Sequence, residues 1–238
     1  MGNLQLDTEE VKSYYNALEN IWAPDDLWHQ YSKRKIEYYL KKNKFSENSY
    51  VLNAGSGGNS YGLKCKQQHV DIANEKISHL DLFTVCSIEN LPFNNSCFDG
   101  IICVGSVINY CDAMKSISEL SRVLKKKGIL ILEFENSYGY EYKKKPVYKC
   151  AAEIIQVTFQ NKLHTQWIYS HAYIKGLIKQ YGFKIKKEYY FHILSSYMLN
   201  RKKSEKEASK YTKFDKILRW IPSINKHANN IMLVCEKL

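Results

Sequence analysis

"VLNAGSGGNSYG" (residues 51–62) is a short apolar run that breaks into a loop with three glycines, Gly55, Gly57 and Gly58, in its first four positions. Glycine clears Cβ atoms where a ligand lies against the main chain, and it also supplies the positive φ of a tight turn; both readings fit this loop taken alone. The dinucleotide fingerprint G-x-G-x-x-G does not fit, because its last glycine falls on Ser60. The loop therefore favours a ligand other than a dinucleotide.

The flanks set the fold. "SYVLNAG", "QHVDIA", "FDGIICVGSVI" and "KGILILEFEN" read as buried parallel strands rather than as half-exposed alternating ones. Between the last two lies "DAMKSISELSRVLKKKG", with Met114, Ile117, Leu120, Val123 and Leu124 at helical spacing and Gly128 as a stop, which predicts an amphipathic helix. Strand, helix, strand points to a doubly wound α/β sheet with its ligand site beyond the carboxyl ends of the strands. Before it, residues 1–48 read as two helices: Asp7 and Glu10 form a capping-box pattern, and Pro24 falls at an expected first helical position in "APDDLW". After it, "SHAYIKGLIKQYGF" reads as a helix, with "KIKKEYYFHIL" and "NNIMLVCEKL" as further strands.

An acid at the end of the second strand, Asp71 in "HVDIA", is placed to accept hydrogen bonds from both hydroxyls of a ribose. Ser87 and Ile88 make a polar and apolar pair at a third strand end, suited to an adenine edge and face. A nucleoside without a pyrophosphate is the ligand these residues describe.

Bulk properties narrow the setting. The 238 residues, 45% hydrophobic, suit one domain with embellishments. No run approaches the roughly 18–20 apolar residues that cross a bilayer, and "MGNLQLDTEE" lacks a signal-peptide layout, so a soluble cytoplasmic protein is expected. Gly2 does not start a myristoylation motif, since Leu6 stands where Ser or Thr is needed. Seven cysteines form no C-x-x-C pair and seven histidines show no zinc spacing; no metal site is expected. The formal charge of +11 raises a nucleic acid, an anionic surface or an acidic substrate as partners. Yet only Arg34, Arg122, Arg201 and Arg219 among the 35 basic residues are arginine, the usual reader of phosphates and base edges, so nucleic acid is not favoured.

The ordered set "VLNAGSG", "VDI", "ENLPFNNSCFDGIICVGSVINY" and "ELSRVLKKKGILIL" resembles the class I S-adenosylmethionine-dependent methyltransferases, in particular the broad group with an "LPF…FD" segment and a "RVLKPGG" turn. The resemblance covers about residues 49–136, with weaker support from "LIKQYGFKI". It implies an α/β, doubly wound, mostly parallel seven-stranded Rossmann-like sheet, here with a helical N-terminal extension (1–48), a methyltransferase domain (49–238) and cap insertions at about 137–170 and 195–227. It also implies S-adenosylmethionine as cofactor. Asn53, Ala54, Gly55, Ser56 and Gly57 would meet its methionine part, Asp71 its ribose and Ile72 its adenine face. Ser87, Ile88 and Glu89 would border the adenine, Val104 and Gly105 would back the sulfonium, and Tyr14 and Tyr15 would close over it or simply pack. Three departures stand out: Asn53 replaces a usual acid, Asn59 the third glycine of G-x-G-x-G, and Ser87 a usual Asp. The short intervals from Gly55 to Asp71 and from Asp71 to Ser87 leave room only for short helices or none.

Methyl transfer to an acceptor needs alignment, exclusion of water and, for some acceptors, a base. The candidates are Glu135 at the end of the fifth strand, Asn109 and Tyr110 after the fourth, and His171, which also reads as a helix cap. The variable segments, rich in Tyr, Trp and Lys, suit an anionic, sugar-bearing or lipid-linked small molecule. In "KYTKFDKILRWI", Tyr211, Phe214, Ile217, Leu218 and Ile221 share one helical face, so residues 210–221 form either a packed helix or a peripheral membrane contact. An RNA methyltransferase and a catalytically inactive nucleoside-binding relative are the alternatives.

Overall fold

A computed structural model describes residues 6–43, 45–159 and 162–238; Gly2 lies outside them. Two helices lead: α1 (Thr8–Ala17), whose N-cap Asp7 accepts from the Glu9 and Glu10 amides, and α2 (Leu27–Lys42), which ends in Lys41 and Lys42. Pro24 does not open α2 as the sequence predicts. Asp26 caps it instead, accepting from the His29 amide at 3.0 Å, and leaves Pro24 in the preceding turn.

Then follow β1 (Tyr50–Ala54), β2 (Lys66–Asp71), the single-turn α3 (Asn74–Ile77), β3 (Phe83–Val85), β4 (Phe98–Cys103), α4 (Ala113–Val123) and β5 (Leu124–Glu135). Of the expected short helices, only α3 forms between β2 and β3, and no helix is assigned between β1 and β2. Helix α4 buries Ile117, Leu120 and Val123 but leaves Met114 46% exposed. It stops at Val123 rather than at Gly128, because Leu124 already pairs with Phe98 at the root of β5.

The rest comprises a hairpin of β6 (Ala152–Phe159) and β7 (Lys162–Tyr169), then α5 (His171–Gln180), β8 (Phe183–Phe191), four short helices α6 (Leu194–Asn200), α7 (Glu205–Ser209), α8 (Asp215–Leu218) and α9 (Pro222–Asn225), and β9 (Asn230–Lys237). The main sheet has seven strands in the order β3-β2-β1-β4-β5-β9-β8. Strands β1 to β5 pair in parallel, while β9 runs antiparallel between β5 and β8. Chain order reverses between β1 and β4, and the crevice above that switch point is where such sheets hold ligands.

Alternate residues of each strand supply two cores. Leu52, Ile101, Cys103, Leu130 and Leu132 face α4 and α5. Val51, Ile102, Val104 and Ile131 face α2, whose Ile36, Tyr39 and Leu40 are at most 1% exposed. At about 1.5–3 kcal/mol for each such buried side chain, α2 is a structural layer of the sheet and not an appendage to it. Odd-numbered positions of β5 continue along the α2 face, which carries Glu133 and Glu135 to the carboxyl edge on the same side.

The single helix expected over 210–221 is broken. Asp215, 1% exposed, accepts from the amides of His192 and Ile193 and from the Tyr31 hydroxyl, which pulls the middle of the segment inward. Ile217 and Trp220, joined by a hydrogen bond from the Trp220 amide to Ile217 O, are left 66% and 75% exposed. No helix among the described residues is long and apolar enough to cross a membrane.

Candidate active site

The glycine loop is bare for two reasons that combine. Gly55, Gly57 and Gly58 all have positive φ, at +70°, +52° and +78°, where a side chain is strained. The amides of Gly55 and Ser56 both donate to Val70 O, at 2.8 and 3.1 Å, folding the chain back over β2. A Cβ on Gly55 would lie 2.2 Å from Val107 Cγ1, and one on Gly57 2.5 Å from Ile21 Cδ1. What first presses on this main chain is therefore the turn after β4 and the link between α1 and α2. Gly55→Ala should destabilise the protein by about 2 kcal/mol, and adding Val107→Ala, which removes both Cγ atoms but leaves Val107 Cβ at 2.9 Å, should return part of the contact cost while leaving about 1 kcal/mol of backbone strain. Chemical denaturation of the three variants measures this, and a double variant no more stable than the single one would place the cost in φ alone.

Above the loop opens a cavity of about 680 Å³, within the roughly 300–1,000 Å³ of small-molecule sites. One end is walled by Asp71, Ile72, Ser87, Ile88 and Glu89. Asp71 Oδ2 accepts from the Gly57 amide at 2.8 Å and Oδ1 from the Ala73 amide at 2.9 Å. A carboxylate offers about four acceptor positions, so two remain for a diol. Burial raises the Asp71 pKa, against the pull of those amides. Ser87 Oγ accepts from the Glu89 amide at 3.1 Å and keeps its own proton to donate, while Ile72 and Ile88 offer apolar surface to a flat ring.

In the middle, Gly105 and Ser106 turn with φ of +83° and +58°. Their amides donate to Glu133 Oε2 at 2.8 and 2.7 Å, and Asn230 Nδ2 donates to Glu133 Oε1 at 2.7 Å. Glu133 thus holds the turn after β4 from beneath; its burial raises its pKa even so. A Cβ on Gly105 would approach Trp22 at 3.5 Å and the Tyr61 hydroxyl at 3.6 Å, filling the gap between sheet edge and aromatic roof.

The far end is a chamber of aromatic rings and acids. Glu135 Oε2 accepts from Gln166 Nε2 at 2.8 Å and the Tyr142 hydroxyl at 3.4 Å. Burial, with Glu141 and Glu133 nearby, pushes its pKa up to about 7. Tyr110 hydrogen-bonds His164 Nε2 at 2.8 Å and meets Tyr15 edge-on, with ring centroids 5.5 Å apart. His164 is held neutral, its pKa lowered by burial. The β6–β7 hairpin supplies Phe159, His164 and Gln166, so one insertion builds this wall.

Of the cofactor candidates, Gly55, Ser56, Gly57, Asp71, Ile72, Ser87, Ile88, Glu89, Val104, Gly105 and Tyr15 line the cavity. Asn53, Ala54 and Tyr14 do not. Asn53 is 1% exposed and spends its amide on Asn59 O and Gln67 Oε1, at 2.8 and 3.0 Å, closing the glycine loop from below. Ala54 is buried in the core. Tyr14 stacks on His164 and donates to Phe159 O, tying α1 to the hairpin, and burial raises its pKa to about 12.

Of the base candidates, Glu135 and Tyr110 reach the cavity, whereas Asn109 and His171 do not. Asn109 is fully buried: Oδ1 accepts from the Glu135 amide and Nδ2 donates to Trp167 O, each at 2.9 Å, which stitches the end of β5 to β7. His171 pairs with Glu188 of β8 at 3.0 Å and lies against Phe134 and Tyr190, and Ser170, not His171, is the cap of α5. Trp22, Trp28, Tyr61, Glu133, Glu141, Tyr142 and Gln166 line the site without a sequence signal to single them out.

Charge is distributed against the whole-chain balance. The cavity is lined by Asp71, Glu89, Glu133, Glu135, Glu141 and Glu205, against Lys144, Lys145 and His29, in a chain of net +11. His29 is already committed to Asp26 at 2.6 Å; burial lowers its pKa, but that partner and the nearby acids raise it overall. Asp26, His29 and Glu205 bring ligand-type atoms within 4.8 Å of one another, a grouping from two distant segments that no local spacing reveals. An acid-lined cavity suits the cationic sulfonium and ammonium of S-adenosylmethionine, as the spare positions on Asp71 suit its ribose and the two isoleucines its adenine. The residues present fit that cofactor.

Residues 46–132 match the family model described as a methyltransferase domain. An uncharacterized protein of Methanocaldococcus jannaschii is 28% identical over 140 residues, covering 56% of this chain and 54% of that one. Demethylmenaquinone methyltransferase of Thermotoga maritima is 29% identical over 137 residues, covering 52% of this chain and 58% of that one. The chain spans little more than half the length of these curated relatives. Geranyl diphosphate C-methyltransferase from Streptomyces coelicolor, solved with Mg2+, geranyl diphosphate and S-adenosyl-L-homocysteine, superposes with a TM-score of 0.63 over 97% of each chain at 11% identity, a likeness of fold. Over residues 46–132 the chain matches a methyltransferase domain, and its strand order and crevice share the fold of the solved methyltransferase that superposes on it.

Proposed function

We propose that the protein transfers the methyl group of S-adenosylmethionine to an oxygen or nitrogen of a small-molecule acceptor held in the aromatic chamber. The observation that carries this reading is one continuous cavity running from Asp71, with two acceptor positions to spare, to the carboxylate of Glu135. Asp71, Ile72, Ser87 and Ile88 would hold the nucleoside, while Gly105, backed by Glu133, would border the reacting carbon. When bound, the cofactor supplies a methyl carbon already activated by its sulfonium. The protein's share is to align the acceptor, keep water away and take up a proton where the acceptor carries one. Glu135 is the group placed for that proton.

Small-molecule acceptors are also what the demethylmenaquinone and geranyl diphosphate enzymes are named for. An RNA acceptor is disfavoured, because carboxylates line the cavity and would repel phosphates. A lipid-linked acceptor stays within the reading through exposed Ile217 and Trp220.

Titration calorimetry with S-adenosylmethionine and S-adenosylhomocysteine tests the proposal. Micromolar binding of both is expected, together with release of the homocysteine product when the protein is given S-adenosylmethionine and a mixed metabolite extract. No binding of either compound would end the methyltransferase reading; binding without release from any extract would favour a silent nucleoside-binding protein.

A further inference from the structure

The acceptor chamber holds more negative charge than its surroundings neutralise. Glu135 and Glu141 line it and Glu133 lines the adjoining middle of the same cavity, and none of the three enters an ion pair among the described residues. Glu133 spends its oxygens on two amides and Asn230. Glu135 and Glu141 share only the Tyr142 hydroxyl between them, and Gln166 adds one bond to Glu135. The lining cations close the gap only in part: Lys145 and His29 act on Glu141, but Lys144 and Lys145 are exposed and His29 is held by Asp26. Like charges sunk side by side are costly until a cation joins them.

Hydrogen-bond bookkeeping leads the same way. Asn230 lines the cavity, is 5% exposed, and its buried Oδ1 has no donor. The chamber thus has acceptors in excess, and its missing partner is a donor. Its lining also includes the rings of Tyr15, Trp28, Tyr110, Tyr142 and Phe159, and aromatic rings attract a cation.

We propose that the acceptor is an amine, bound as its ammonium between Glu135 and Glu141, and that the reaction is N-methylation. This rests on the methyltransferase reading and names its substrate class. The ammonium first gives a proton to Glu135. The freed nitrogen lone pair then forms the new N–C bond while the C–S bond breaks, its electrons staying on sulfur as the thioether. Glu141 keeps its charge and holds the methylated ammonium, and Glu135 returns its proton to solvent. The titratable groups facing Glu135 are Glu133, Glu141, His29, Tyr15, Tyr110 and Tyr142; of these only His29 is a cation, and Asp26 occupies it.

The test uses the full chain saturated with S-adenosylhomocysteine and two matched ligand series: phenethylamine, 2-phenylethanol and 3-phenylpropanoate, and hexylamine, hexanol and hexanoate. Calorimetry should show at least one amine binding tenfold or more tighter than its alcohol and its carboxylate. Glu141→Gln should erase that preference while leaving the melting temperature and S-adenosylhomocysteine affinity at or above the wild-type values. Equal or tighter binding of the alcohols or carboxylates in both series would overturn the inference. So would one equivalent of a divalent ion found by elemental analysis and lost in Glu205→Gln, because an ion at Asp26, His29 and Glu205 would already neutralise the chamber. Failure of S-adenosylhomocysteine itself to bind is a separate result and strikes the methyltransferase reading.

Discussion

Replacing Asp71 by alanine should weaken S-adenosylhomocysteine binding about 100-fold, and replacing it by asparagine about tenfold. Two of the carboxylate's roughly four acceptor positions are taken by the Gly57 and Ala73 amides, and the side chain lines the cavity, where the remaining positions serve a ligand. A hydrogen bond to a charged group contributes about 1.5–3 kcal/mol, and each 1.4 kcal/mol is roughly tenfold in affinity. Loss of two such bonds, discounted for water that replaces them, gives the first figure. The alanine variant also strands two amides, so its melting temperature should fall. Asparagine keeps one acceptor oxygen for the loop but turns its NH2 towards the other amide, so it should lose stability too, though less than alanine. Affinity and melting temperature measured on both variants separate ribose binding from loop support. An asparagine variant that binds S-adenosylhomocysteine within twofold of wild type would show that Asp71 serves the loop and not the ligand.

The two amides on Asp71 also explain why the glycine loop and its acid were legible together. Buried parallel strands announce themselves as unbroken apolar runs, and a carboxylate at the end of one stands out against them; "VLNAG" and "HVDIA" carry both signals within a few residues. The same locality makes asparagine misleading. Asn53 and Asn109 sit where the sequence suggests ligand contact, yet an amide carries both a donor and an acceptor, and here Asn53 gives its Nδ2 to the glycine loop and Asn109 both ends to the main chain of Glu135 and Trp167. His171 misleads for another reason: its partner Glu188 lies one strand later, so nothing local shows which face of the helix start it takes.

The chamber was the least legible part. Its acids and rings come from α1, α2, β5, the segment after β5 and the β6–β7 hairpin, and only the fold brings them to one cavity. Composition does not report the charge of the cavity, since most of the lysines that set the net charge lie outside it while six carboxylates line it. The broken segment at 210–221 teaches the same point, because one inward carboxylate, Asp215, outweighed a helical pattern of apolar residues. Burial pushes its pKa up to about 6.

Glu135→Gln is expected to cut turnover about 100- to 1,000-fold, the usual contribution of a positioned proton acceptor, and at the same time to make the protein more stable at alkaline pH. Both effects follow from one property. Burial beside Glu141 and Glu133 raises the Glu135 pKa from 4.5 to about 7. A raised carboxylate favours the folded state fully below its unfolded pKa, and that advantage is lost as pH climbs through the folded value. At pH 8 the wild-type protein therefore holds an ionised carboxylate the fold resists, and glutamine, which keeps an acceptor for Gln166 or Tyr142, removes that cost. The variant should be more stable by about 2 kcal/mol at pH 8, taken below the full shift because the cavity admits water, and indistinguishable from wild type at about pH 4, below the unfolded value. Activity moves in the opposite sense: wild-type turnover should rise with pH through about 7 as the acceptor is unmasked, and the residual turnover of the variant should lack that limb. Denaturation curves at the two pH values and a pH-rate profile check the pair. Turnover within threefold of wild type with the stability gain present would mean that Glu135 is buried but takes no proton in the reaction; loss of turnover without the gain would mean that the carboxylate finds in solution a counter-charge that the folded chain does not supply.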